Sequence, residues 1–174
     1  MEQQTHRADV IFKLYSKDVI EKSKEMGDAF GVPREEFVKG ANSLGALFKA
    51  EGFTSEQASK LATGFSTLAI NASRLTGIPL PEVMEKIMKG AAGSGKGLKD
   101  LGVYMNDDVV KAEAFKLGLV KLGGELTESA KIQARLSVIS KGLSDANGQA
   151  GATANTVMGR WEAFTGRIAN LAET

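Results

Sequence analysis

The sequence is poorest in the residues that carry most site chemistry. Among its 174 residues it has no cysteine, one histidine and one tryptophan. The missing cysteine excludes disulfides, thiolate nucleophiles and cysteine-based metal sites. The lone histidine, His6, lies near the N-terminus, where no Ser–His–Asp arrangement is plausible. With Glu2 and Asp9 it makes a poorly preorganised ligand set on a chain end, and it reads as an exposed bystander. Three prolines and two tyrosines disfavour a β-sandwich or an aromatic platform for stacking bases. Nowhere do about 18 uncharged apolar residues run together, as a membrane span requires. The opening stretch MEQQTHRADVIFKLY is broken by Asp9 and Lys13, with Lys17 just beyond, and lacks the apolar core of a secretory signal. The chain is therefore expected in the cytoplasm or in a soluble assembly. A formal net charge of +1 supplies no long-range field and weighs against an obligate nucleic-acid binder.

What is present is helix-forming and punctuated. The chain is 43% hydrophobic and 25% charged, with twenty glycines, a composition that suggests short helices with frequent stops. Residues 8–30 carry Ile11, Tyr15, Val19, Met26 and Phe30 at loose helical spacing and read as one first helix. Gly31 can stop it. Pro33 suits the first residue of the next helix, with Glu35 and Glu36 in its first turn; Phe37, Ala41, Leu44 and Phe48 then share a face, and Gly52 ends it. Thr54 with Gln57 is a capping-box pair. Behind it, Ala58, Leu61, Ala62, Phe65, Leu68, Ala69, Ala72 and Leu75 form the widest apolar stripe in the chain. Pro81 opens a helix through Val83, Met84, Ile87 and Met88. Asn106, followed by Asp107 and Asp108, is an N-cap with acidic residues in the first turn, an ordinary dipole role rather than an acid–base pair. Gly118, Gly123 and Gly124 interrupt the chain before Thr127 caps a helix with Ile132, Leu136, Ile139 and Leu143. No segment alternates convincingly as a strand. The expected fold is all-α, a compact bundle of about six to eight short helices with glycine-rich joints.

The stretch KGAAGSGKGLKDLGV, residues 89–103, tests that reading. Gly90-x-x-x-x-Gly95-Lys96 matches the front of a phosphate loop, which works only between a buried strand and a helix. Here the preceding segment, Pro81 to Lys89, has helical periodicity and several charges. The position after Lys96 is Gly97, with no hydroxyl for magnesium, and Leu98 follows. The favoured reading is a flexible interhelical joint at Gly90, Gly93, Gly95 and Gly97, each lowering helix persistence by about 1 kcal/mol relative to alanine. Leu98, Leu101, Val103 and Tyr104 are expected to pin its far side to the core, with Lys96 and Lys99 in solvent. A small nucleotide-binding protein using the Gly90–Gly97 loop is the alternative.

The order of these features resembles the conserved region of phage and prophage tail tape-measure proteins. The residues that carry the resemblance are Gly31-Val-Pro-Arg-Glu-Glu-Phe37, Ala41-Asn-Ser-Leu-Gly-Ala-Leu-Phe-Lys49, the Ser55-to-Leu68 helix, Pro81-Glu-Val-Met-Glu-Lys-Ile-Met-Lys-Gly90, Leu98-Lys-Asp-Leu-Gly-Val103 and Leu126-Thr-Glu-Ser-Ala-Lys-Ile-Gln-Ala-Arg-Leu136. A polar joint from Ser144 to Thr156 and an amphipathic segment from Val157 to Leu171 complete the match, which covers about residues 26 to 174. The glycine-heavy 93–97 segment departs from the family, whose members commonly carry charged or polar residues there. The resemblance implies a non-enzymatic structural module that needs no cofactor or metal. It would act in tail assembly and tail-length determination, in the lumen of the virion tail and, during assembly, in the cytoplasm of the host bacterium. Because full members are far longer, it also implies a fragment or a short remnant. An unrelated helical adaptor remains a further alternative.

The expected divisions are an N-terminal helix over 1–30, a helical module over 31–150 and a C-terminal amphipathic helix over 151–174. Val157, Trp161, Phe164, Ile168 and Leu171 recur at intervals of four, three, four and three and form the expected association face, either between copies or against the same domain. The expected partners are copies of the chain and the tail tube and tail assembly proteins. Lys86, Lys89, Lys96, Lys99, Lys111 and Lys116 are interleaved with Glu82, Glu85, Asp100, Asp107, Asp108 and Glu113, the pattern of a solvated surface, so any DNA contact is expected to be weak. The polar face of the first helix mixes Lys17, Asp18, Glu21, Lys22 and Glu25, which does not suit stable membrane binding.

Overall fold

Helix stops in this chain are set largely by glycine, and the computed structural model shows how. It describes residues 1–120 and 123–146. Among these the secondary structure is entirely helical: α1 (Glu2–Phe12), a 3-10 turn (Lys13–Tyr15), α2 (Ser16–Phe30), α3 (Arg34–Ala50), α4 (Ser55–Thr76), α5 (Leu80–Ala91), a second 3-10 turn (Gly97–Leu101), α6 (Asp107–Lys116) and α7 (Glu128–Ala146). The all-α expectation holds. Gly31 and Gly77 adopt left-handed conformations, φ 68° and 76°, and donate back to the carbonyls of Gly27 and Ser73, closing α2 and α4. At the ends of α3 and α6 a paired arrangement appears. Gly52 N–H donates to Lys49 and Phe53 N–H to Phe48; Gly118 N–H donates to Phe115 and Leu119 N–H to Ala114. This is the Schellman pattern, in which a positive-φ residue lets two amides turn back onto otherwise orphaned carbonyls.

The chain divides into two units, Met1–Met84 and Glu85–Thr174. In the first unit, α4 is the central element. It starts at the capping box read from the sequence: Thr54 Oγ1 accepts from Gln57 N–H at 3.2 Å, and Gln57 Oε1 accepts from Thr54 N–H at 2.9 Å. Seven consecutive residues, Gly64 to Ile70, are buried, so this stretch has no solvent face. Helix α3 packs along it, and Phe48 joins the two through ring contacts with Phe53 (5.5 Å between centroids) and Phe65 (5.7 Å). Helices α1 and α2 lie on α3 and also reach α4.

The first helix differs from the sequence reading, which runs unbroken over residues 8–30. Helix formation begins at Glu2 and is interrupted at Lys13–Tyr15. The reason is tertiary. Phe12 is fully buried, with its ring lying where a side chain at Gly45 would be. Ser16 Oγ donates to Asp9 Oδ1 at 2.5 Å across the corner, and Asn42 Nδ2 donates to the Gln4 carbonyl at 2.9 Å, tying α1 to α3.

In the second unit, α6 and α7 pair through Val110, Ala114 and Ala134, with Met105, Leu119, Val120 and Leu126 packed around them. Asn106 caps α6 by accepting from Val109 N–H at 2.9 Å, and Thr127 Oγ1 accepts from Ala130 N–H at 3.1 Å at the start of α7. Glu113 clips the pair together, its Oε1 receiving Ser137 Oγ at 2.8 Å and Lys141 Nζ at 2.6 Å. Burial works against the charged form of Glu113. The hydrogen bonds from Lys141 and Ser137 and the charges of Lys141 and Lys116 outweigh it, holding the carboxyl below its ordinary value.

Candidate functional site

The glycine stretch is built as a helix end. α5 runs to Ala91, and Gly93, at φ 117°, turns the chain. Gly93 N–H donates to the Gly90 carbonyl at 3.0 Å, and Ser94 N–H to the Lys89 carbonyl at 2.9 Å. This is the same Schellman pair that closes α3 and α6. Two of the amides that a phosphate loop would turn toward an anion, those of Gly93 and Ser94, are thus spent on the helix's own carbonyls. The electrostatics have the opposite sign as well. A helix C-terminus carries partial negative charge and favours cations, and the Arg135 guanidinium lies here, with Nη1 donating to the Ala91 carbonyl at 3.3 Å. The segment that a phosphate loop needs as a strand is α-helix, and no strand occurs among the described residues.

Each glycine has a close neighbour. A Cβ at Gly90 would lie 2.7 Å from Leu98 Cδ1 and 3.0 Å from Ile139 Cδ1. At Gly93 it would meet the Arg135 guanidinium at 3.3 Å, at Gly97 the Lys86 side chain at 3.0 Å, and at Gly95 the backbone carbonyl oxygen of Met105 at 2.8 Å. At Gly95 that neighbour is fixed backbone, a packing reason for glycine independent of any mobility, whereas at Gly93 and Gly97 it is a flexible side chain that can give way. Leu98, Leu101 and Val103 are buried as expected, and Gly102 closes the second 3-10 turn with the same paired bonds, its N–H to Lys99 and that of Val103 to Leu98. Tyr104 differs from expectation. It is 66% exposed, and its hydroxyl accepts from Asn106 Nδ2 at 3.1 Å, because Val103 takes the buried place and the chain turns outward to present the α6 cap. Lys96 and Lys99 are exposed.

The other candidates from the sequence are dispersed. His6, Asp107 and Asp108 are exposed, and no group of three or more His, Cys, Asp or Glu residues suited to a metal ion occurs among the described residues. Lys86 pairs with Asp100 at 3.2 Å, and Lys89 with Glu85. Those two lysines are therefore neutralised locally. No helix of the described residues is long and apolar enough to cross a membrane. Val157, Trp161, Phe164, Ile168 and Leu171 lie outside the described residues.

One feature escaped the sequence reading. On the second unit an open groove of about 700 Å³ is lined by Phe115, Val120 and Leu126 together with Lys111, Lys131 and Glu125. Phe115 is 53% exposed there. The signal was a run of apolar residues, Leu119, Val120 and Leu126, set among glycines and packed only partly against the α6–α7 core. Its chemistry suits an apolar side chain with a charged flank. Comparison with family models, with curated proteins and with solved structures finds no match.

Proposed function

We propose that this chain is a structural module of a phage or prophage tail tape-measure protein, working in tail assembly and length determination through helix-mediated protein–protein contacts rather than through catalysis. The observation that carries the reading is the ordered step from α5 to α6. A charged amphipathic helix ends in a glycine cap. A Leu-x-x-Leu-Gly-Val segment then buries Leu98, Leu101 and Val103, and an asparagine-capped helix follows. That step is one part of the ordered set of segments on which the resemblance rests. In this reading the glycines of residues 90–102 are assembly geometry: they end helices and allow close backbone approach. Copies of the chain and the tail tube and assembly proteins are its partners, and the tail lumen is its place in the virion. The groove beside Phe115 offers one apolar contact surface for such partners.

The test is genetic and visual. The coding region is deleted in frame from its parent phage or prophage, and tails are counted and measured by electron microscopy after induction. Tails that are absent or altered in length support the assignment. Tails of normal number and length overturn it.

A further inference from the structure

Lys13 is the only non-glycine residue with positive φ among the described residues, at φ 53° and ψ −122°. That combination is the mirror image of an extended conformation, open to glycine and closed by sterics to residues with a Cβ. Nothing in the local sequence asks for a break there. No glycine or proline occurs before Gly27. Phe12, which precedes the turn, and Tyr15, which precedes α2, provide no side-chain cap. Residues 2–30 would form one helix if left to their own preferences. The bend is imposed by the seating of α1 on α3, with Phe12 in the space left by Gly45.

The geometry points to a second copy of this chain as an alternative seat for α1. In the exchanged form residues 13–15 become helical, so that residues 2–30 run as a single rod of about 43 Å. α1 then lies on the partner's α3, with Phe12 in the partner's Gly45 notch. Such an exchange remakes the α1 contacts across the copies and removes the strained residue from each, and a short hinge under strain is the situation that invites it. The Tyr15 hydroxyl gives up its 3.5 Å contact with Glu56. A separate observation favours a second copy over any other occupant. Leu14 is 88% exposed and Val10 67% exposed at the corner, one helical turn apart in the straightened form. In the exchanged pair the two hinges run beside each other, and these side chains meet their counterparts instead of water.

The experiment refolds the full chain from denaturant over a range of concentrations and measures mass by light scattering after size exclusion. The wild type yields a dimer whose share rises with refolding concentration. Lys13→Gly makes the bent form unstrained and weakens the straight one, so it lowers the dimerisation constant by about tenfold or more while raising the monomer's melting temperature. Leu14→Glu lowers the dimer share without changing the monomer's melting temperature. Because the chain has no cysteine of its own, Gln4→Cys with Asn42→Cys reports the connection directly: oxidation of the dimer gives chains linked to each other. A wild type that is monomeric at every concentration overturns the proposal. So does a dimer that Lys13→Gly leaves unchanged, or one whose cysteines link only within a chain.

Discussion

Replacing Gly95 with alanine separates two meanings of the glycine stretch. If the segment serves only as a loose joint, alanine should stabilise the protein. The φ of Gly95 lies outside the left-handed range, so local sterics accept a side chain, and the reduced entropy of the unfolded chain is worth about 0.4–1 kcal/mol. The folded structure opposes this. The new Cβ would stand 2.8 Å from the Met105 carbonyl oxygen. That oxygen belongs to backbone, between Val103, whose N–H is held by Leu98, and the Asn106 cap; it cannot swing away as a side-chain tip can. Forcing such an overlap costs about 1–3 kcal/mol. The balance is a loss of about 1–2 kcal/mol, or a melting temperature lower by about 2–8 °C for a chain of this size. Thermal unfolding followed by far-ultraviolet circular dichroism reads it. Gly40→Ala is the matched control. Its Cβ would meet Met84 Cε at 2.8 Å, the movable end of a flexible side chain, and a helical alanine recovers about 1 kcal/mol of propensity. A melting temperature for Gly95→Ala equal to or above wild type would refute the packing argument.

Gly45→Ala should destabilise the first unit by about 1–3 kcal/mol in denaturant titration, because its Cβ runs into the Phe12 ring. Combining it with Phe12→Leu should recover part of that loss, and strict additivity would mean that the two do not share a site. Thr54→Ala removes one half of the α4 capping box and should cost about 1 kcal/mol in the same titration. Glu113 gives a pH dependence of known sign. Its folded value lies below the ordinary 4.5, so its contribution is complete above that pH and is lost as the pH falls through the folded value. Between about pH 5 and 3 the wild type should lose stability more steeply than Glu113→Gln; parallel curves would remove Glu113 from the account.

Much of the fold was legible because helix boundaries here are local chemistry. Thr54 with Gln57, Asn106 and Thr127 start helices through their own side chains, and Gly31, Gly77 and Gly118 stop them through a backbone region that residues with a Cβ enter at a cost. Short-range reading finds such signals. The bend at Lys13 was invisible because nothing at residues 12–16 encodes it. It is caused by the space at Gly45, some thirty residues away, and propensity alone gives an unbroken helix. The close packing of the 90–97 glycines was hidden for the same reason, since the atoms they approach belong to Met105, Arg135 and Ile139. The groove at Phe115 is not legible either, because Leu119, Val120 and Leu126 become a surface only when α6 and α7 pair.

The run from Gly64 to Ile70 sets a clock for the first unit. With those residues shut away from water, deuterium reaches their amides only when the surroundings of α4 come apart, never by fraying from an end. Their exchange rates should converge on one value, and that shared rate would measure how often the interior of this unit opens to solvent.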